Sequence, residues 1–175
     1  MSLEKESSVA VVGNAKSLLD KQYGQLIDSH DVIIRFNLGF DIRKPSAQGS
    51  RLDILATSIP FDLKCISKES QIWWISPKRE SVPLRFLFCK KIYFLTTQNW
   101  CHLYKILAQR PSTGFMVLYH LIYELDVKKI SIFGFDGFKT ASFYETRKSV
   151  PPHDFMKEAE FIEQWKHNGS IEWYQ

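Results

Sequence analysis

Five histidines, His30, His102, His120, His153 and His167, are the candidates for a general base, because imidazole titrates near neutral pH in ordinary surroundings. His153 stands apart from the others. It follows Pro151-Pro152 and precedes Asp154, which can cap a helix running to about Lys166 and stopped by Asn168-Gly169. The positive end of a helix dipole disfavours imidazolium, which favours a neutral ring near the reference pKa of about 6.5. A neutral ring can take the proton of a hydroxyl as that oxygen attacks an electrophile. Glu158 follows His153 by five residues. On a helix that spacing falls roughly 140° beyond one full turn, so the two side chains need not meet and a structural role for Glu158 is equally open.

A second set of polar residues ends short apolar runs. Gly13-Asn14, Asn37-Leu-Gly39, Thr57-Ser58 and Gly134-Phe-Asp136 each close a run that reads as a strand. Gly13 permits close backbone approach, and the amides of Asn14 and Asn37 can both donate and accept. Such groups suit a ribose, a pyrimidine edge or a phosphate, although either Asn can equally be making a turn. Arg110-Pro-Ser-Thr-Gly114 opens a helix; Ser112 or Thr113 can cap it, and Gly114 lets a ligand approach the first-turn amides. An ordinary N-cap and an anion cradle are both compatible with that stretch. Neither a GxGxxG nor a GxxxxGK[ST] pattern occurs, and no two aspartates are spaced Asp-x-Asp.

The elements that must position these residues alternate. Strands are expected at Val9–Val12, Asp31–Phe36, Leu52–Ala56, Gln71–Ile75, Lys91–Leu95, Lys129–Phe133 and Ile171–Tyr174. Helices are expected around Leu18-Leu19, over Gln98–Gln109, and over Phe115–Leu125, whose residues are apolar on most faces and so belong at the centre of the molecule. Trp73-Trp74 would send one indole to each face of its strand as core packing. Repeated strand–helix units imply an α/β fold with a mainly parallel sheet and helices on both faces, in one domain over residues 9–175. Residues 1–8 read as a disordered or non-native lead-in. In an open parallel sheet, ligands sit beyond the carboxyl ends of the strands, where the Gly and Asn residues fall.

Composition excludes several classes. The 175 residues are 45% hydrophobic and 24% charged, enough for a real core, and no apolar run approaches the roughly 18 residues of a membrane span. The net charge of +4 is mild and unclustered, so nucleic acid is not expected as a partner; it fits a small anionic ligand or peripheral contact with an anionic membrane equally well. Cys65, Cys89 and Cys101 are odd in number and lack CxxC spacing, which points to reduced thiols in a cytoplasmic protein and to no bound metal.

Taken together, these stretches resemble the sialyltransferases of glycosyltransferase family 29. Val11-Val-Gly-Asn-Ala15, with Tyr23 to Asp31 and Arg35-Phe-Asn37, is similar to the large sialylmotif. Pro111-Ser-Thr-Gly114 through Ile132-Phe-Gly-Phe135 is similar to the small motif, and His153-x4-Glu158 to the very small motif. The Arg110–Gly114 stretch, and Tyr144 after the Gly-x-Asp strand end, also resemble bacterial family 42 sialyltransferases. Two positions depart from the animal pattern. Val9 and Leu125 stand where paired cysteines are expected, in keeping with a reducing compartment, and the histidine of a third motif is replaced near Ser142-Phe-Tyr144.

The resemblance implies a Rossmann-like sialyltransferase domain, a GT-A variant, catalysing metal-independent, inverting transfer from CMP-sialic acid to a glycan acceptor, lipid-linked ones included. It needs no cofactor. By the same resemblance, Asn14 and Asn37 would hold the cytidine monophosphate, with Gly13, Ala15 and Phe135 in the same motifs at the donor site. Ser112, Thr113 and Gly114 would cradle the cytosine and ribose. Tyr144 would donate to the leaving phosphate and His153 would be the base. Arg110 would either face the phosphate or donor carboxylate or make a surface ion pair, and Asp136 would either touch substrate or close a turn. A CMP-Kdo transferase and an inactive CMP-binding or assembly protein on the same scaffold are the alternatives.

Overall fold

Runs of β-branched and aromatic residues without polar alternation bury both faces, which is the pattern of a parallel sheet covered on each side. The computed structural model describes residues 3–88, 91–137, 139–144 and 153–175. It contains seven strands: β1 (Ser8–Val12), β2 (Val32–Phe36), β3 (Ile54–Thr57), β4 (Gln71–Trp74), β5 (Ile92–Phe94), β6 (Lys129–Phe133) and β7 (Glu172–Tyr174). All pair in parallel in the order β5-β4-β3-β2-β1-β6-β7. The helices are α1 (Gly24–Asp28), α2 (Pro45–Gln48), α3 (Leu84–Leu87), α4 (Thr97–Leu107), α5 (Thr113–Tyr119) and α6 (Phe155–His167), with 3-10 turns between them.

The order of the strands fixes where a ligand can enter. The chain builds outward from β1 to β5, then crosses back to lay β6 on the other side of β1. The chain therefore leaves β1 toward β2 and β6 toward β7, which puts the switch point of the sheet at the carboxyl ends of these two neighbours.

Alternate residues of each strand serve the two faces. Val9, Val11, Val32, Ile34, Trp73 and Ile132 pack against Leu103 and Leu107 of α4, Phe115 to Leu118 of α5, and Ile162 and Trp165 of α6. On the opposite face Ala10, Val12, Ile33 and Phe133 meet Leu18 and Ile27, while Leu55, Ile72 and Trp74 meet Phe61 and Phe86. The two adjacent tryptophans thus point to opposite faces.

Two expectations need correction. Of the lead-in, residues 1–2 lie outside the described residues, and 3–8 are tied down rather than loose: Asp31 accepts hydrogen bonds from Ser8 N and Oγ, both at 2.8 Å, and β1 begins at Ser8. Lys5 pairs with Asp126, and Leu3 packs against the core. The apolar helix expected through Leu125 keeps α-helical pitch only to Tyr119 and widens into a π turn over His120–Glu124. That turn pairs His120 Nδ1 with Glu124 Oε2 at 2.5 Å, and left-handed Asp126 (φ 51°) then turns the chain toward β6. Between β2 and β3, α2 forms with Pro45 at its first turn.

Cys65 and Cys101 are exposed, while Cys89 lies outside the described residues. No helix among the described residues is long and apolar enough to cross a membrane.

Candidate functional site

The crevice between β1 and β6 holds a cavity of about 370 Å³ lined by the loops after β1, β2 and β6 and by the starts of α5 and α6. Two glycines let the strand ends meet. A Cβ on Gly13 would lie 2.3 Å from the Gly134 carbonyl oxygen, and Gly134 itself is left-handed (φ 66°). A Cβ on Gly114 would lie 2.9 Å from the Phe135 ring. Gly13 and Gly114 both line the cavity, and each also makes room for a neighbour within the protein, the Gly134 carbonyl in one case and the Phe135 ring in the other.

The two asparagines are differently committed. Asn14 uses its amide nitrogen within the protein, donating to Phe36 O at 3.1 Å and to the Tyr144 hydroxyl at 3.3 Å. The phenol therefore accepts from Asn14, which turns its own O–H away from that amide. Asn37 is left-handed (φ 48°), a conformation Asn tolerates better than most residues. Its Oδ1 accepts from Ser58 N at 3.1 Å, so the NH₂ end is the one left to a ligand in the cavity.

The start of α5 is held from a distance. Ser112 caps the helix by accepting from Phe115 N at 3.2 Å. It also donates through N and Oγ to the two oxygens of Glu158, each at 2.6 Å. Burial pushes the Glu158 carboxyl up to about 7, with the two Ser112 hydrogen bonds pulling the other way and Asp154 adding to the rise. Thr113 follows at the cavity, its Oγ1 3.4 Å from Ser58 Oγ.

His153 lines the same cavity from in front of α6, which Asp154 caps by accepting from Lys157 N at 3.1 Å. Its Nδ1 lies 2.7 Å from the Arg110 carbonyl oxygen. A carbonyl only accepts, so Nδ1 carries the proton and Nε2 presents a lone pair. Burial holds the ring below its ordinary value of 6.5, an effect to which the Arg110 charge adds and which the Arg110 carbonyl opposes.

Other expected residues play different parts. Arg110 reaches the site through its carbonyl; its side chain is not among those lining the cavity. Asp136 lines the cavity, but its Oδ2 accepts from Ser17 Oγ, Thr140 N and Thr140 Oγ1 at 2.5 to 3.1 Å, closing the loop after β6. Ala15 makes an isolated antiparallel bridge with Ser142 and also lines the cavity. Trp173, which the sequence did not single out, donates Nε1 to Phe135 O at 2.9 Å and so steadies the loop that carries the Phe135 ring.

Comparison with known proteins bears on the fold and on the first forty residues. The model of glycosyltransferase family 29 (sialyltransferase) matches residues 4–43. A mammalian sialyltransferase solved in complex with Gal-beta-1-3GalNAc-ortho-nitrophenol superposes with a TM-score of 0.75, at 20% identity, over 97% of this chain and 69% of that one. The chain has the sialyltransferase fold and resembles family 29. The Campylobacter jejuni sialyltransferase solved with cytidine-5'-monophosphate superposes at 0.64 with 15% identity, over 99% of this chain and 80% of that one. In sequence, the chain is 25% identical over 199 aligned residues to a mouse CMP-N-acetylneuraminate-beta-galactosamide-alpha-2,3-sialyltransferase, covering 95% of this chain and 56% of the mouse protein. It is 36% identical over 95 residues to a beta-1,6-galactosyltransferase of Arabidopsis thaliana, covering 54% of this chain and 23% of that protein. The chain thus spans about half or less of these two curated relatives.

Proposed function

We propose that this sialyltransferase-like domain transfers a sugar from a CMP-linked donor, in the simplest case sialic acid from CMP-sialic acid, to a glycan hydroxyl, without a metal and with inversion. The observation that carries the reading is His153, a neutral imidazole with Nδ1–H fixed on the Arg110 carbonyl and Nε2 left as the acceptor at a switch-point cavity. In the reaction, Nε2 takes the acceptor hydroxyl's proton as that oxygen bonds to the anomeric carbon. The bond from that carbon to the phosphate oxygen breaks on the opposite face, its electron pair leaving with CMP. In this reading the Tyr144 hydroxyl and the Asn37 amide donate to the departing nucleotide.

The lining also bears on the donor. Among the described lining residues none is Lys or Arg, while amides, hydroxyls and helix-start N–H groups are present. Neutral donors can hold the single charge of a CMP-sugar phosphate more readily than the two charges of a diphosphate. A second reading, transfer of galactose, has one observation behind it: the Arabidopsis relative named as a galactosyltransferase. A cytoplasmic location, with contact to a membrane through its acceptor, belongs to the same proposal.

Release of CMP from CMP-N-acetylneuraminate in EDTA, measured for wild type and His153→Ala and alongside UDP-galactose, tests the proposal. Cleavage by wild type that His153→Ala loses supports it. Cleavage of UDP-galactose alone, or equal inactivity of both proteins while CMP still binds, overturns it.

A further inference from the structure

Residues 141–144 run alongside residues 14–16 as a strap, with Ser142 and Tyr144 among the residues lining the cavity. Lys16 N donates to Ala141 O at 3.0 Å, Ser142 bridges to Ala15, and Phe143 N donates to Asn14 O at 2.9 Å. A residue from a distant part of the sequence grips the strap from its other side. Arg43 Nη1 donates to Phe143 O at 2.6 Å, and its guanidinium carbon lies 5.4 Å from the centre of the Phe143 ring. Among the described residues, the remaining polar contact of its side chain is a half-exposed one, from Nε to Asp41 Oδ2 at 3.3 Å.

We propose that Arg43 is a positioning residue for Tyr144. The inference rests on the role given to Tyr144 above. The peptide bond is planar, so the Phe143 carbonyl and the Tyr144 N–H belong to one rigid unit. Arg43 holds that unit by its oxygen, while Asn14 O holds the preceding unit by the Phe143 N–H. With the planes on both sides of Phe143 fixed, the phenol is delivered to Asn14 Nδ2.

Arg43 is itself mounted rigidly. The backbone N–H groups of Arg43 and Lys44 both donate to Gln48 Oε1 at 2.9 Å. Gln48 is 1% exposed, and its carbonyl accepts from the buried Arg35 Nη2 at 2.7 Å. A chain of hydrogen bonds thus runs from the interior of β2 through the turn at α2 to the strap. Arginine suits the post because its planar group can stack on Phe143 while donating to the carbonyl beside it. Lysine's compact ammonium lacks that planar fork and matches the two contacts less well.

The test combines hydrogen exchange with a double-mutant cycle. A hydrogen bond from a charged donor supports an expected increase in Phe143 amide exchange of roughly 10–100-fold in Arg43→Ala, with β1 amides unchanged and Arg43→Lys intermediate. In CMP-N-acetylneuraminate cleavage, Arg43→Ala is expected to lower kcat more than it raises KM, and Arg43→Ala/Tyr144→Phe to be no slower than Tyr144→Phe alone. Unchanged Phe143 exchange in Arg43→Ala overturns the clamp, and so do rate losses that multiply in the double variant. If wild type cleaves no donor, the proposed function fails and the exchange result alone decides the clamp.

Discussion

Replacing Glu158 by glutamine is expected to remove a pH dependence that runs against the usual carboxylate behaviour. Glu158 is 4% exposed, and burial raises its carboxyl from an ordinary 4.5 to about 7 in the folded protein. Between those values the native state keeps a proton that the unfolded chain has released. The stability tied to this group is therefore full below about 4.5 and is lost as pH rises through about 7. At about 1.4 kcal/mol per pH unit, the gap corresponds to roughly 3 kcal/mol. His153 acts with the opposite sign, because burial lowers its folded value below 6.5 and its contribution grows as pH rises toward that value. Comparing wild type with Glu158→Gln cancels the histidine. Glutamine can still accept from Ser112 N and can donate to Ser112 Oγ, so the cap of α5 survives. Urea unfolding at about pH 5, 6, 7 and 8 is the assay. The expected result is a stability difference that moves toward the glutamine variant by up to roughly 3 kcal/mol across that range. A difference that stays flat, or moves toward wild type as pH rises, would refute the reasoning.

Three further outcomes are expected. The acid limb of kcat/KM for CMP-N-acetylneuraminate should fall at a pH below 6.5, because burial keeps His153 neutral to lower pH; a limb at or above 6.5 would exclude this ring as the base. Asn37→Asp keeps the oxygen that accepts from Ser58 N but removes the NH₂ donor and adds a charge, so calorimetry should show CMP affinity reduced at least about tenfold, with the melting temperature nearly unchanged. Gly114→Ala must move the Phe135 ring, whereas Gly13→Ala drives a methyl into the fixed Gly134 carbonyl; thermal melts should place the Gly13 variant well below the Gly114 one, and equal melts would contradict that packing.

Much of this arrangement could be read from local sequence because local chemistry determines it. Lys129–Phe133 is a strand from the first residue of the expected run to the last, since an uninterrupted β-branched and aromatic run leaves little alternative. Ser112 and Asp154 both cap the helices they precede, in accord with the rule that short side-chain oxygens satisfy first-turn N–H groups. Contacts between distant residues were not legible. The partner of Glu158 is Ser112, 46 residues away, not His153 just ahead of its helix. One signal was available: Glu158 stands in register with Ile162 and Trp165 on the buried stripe of α6, and a carboxylate there needs a donor from another element. The Arg43–Phe143 contact, across 100 residues, left no such mark, because an exposed loop arginine looks the same with or without a partner. The neighbours that Gly13 and Gly114 make room for were not legible for a related reason: the sequence shows that a side chain is missing but not what occupies its place.

The most direct test of the central claim is a calorimetric titration with CMP in EDTA, run beside UMP and UDP. CMP binding that Asn37→Asp weakens, with UMP and UDP much weaker, is the expected result. A folded protein that binds UDP more tightly than CMP, or that binds CMP only when a divalent metal is restored, would contradict a metal-independent CMP-sugar site at the β1/β6 crevice.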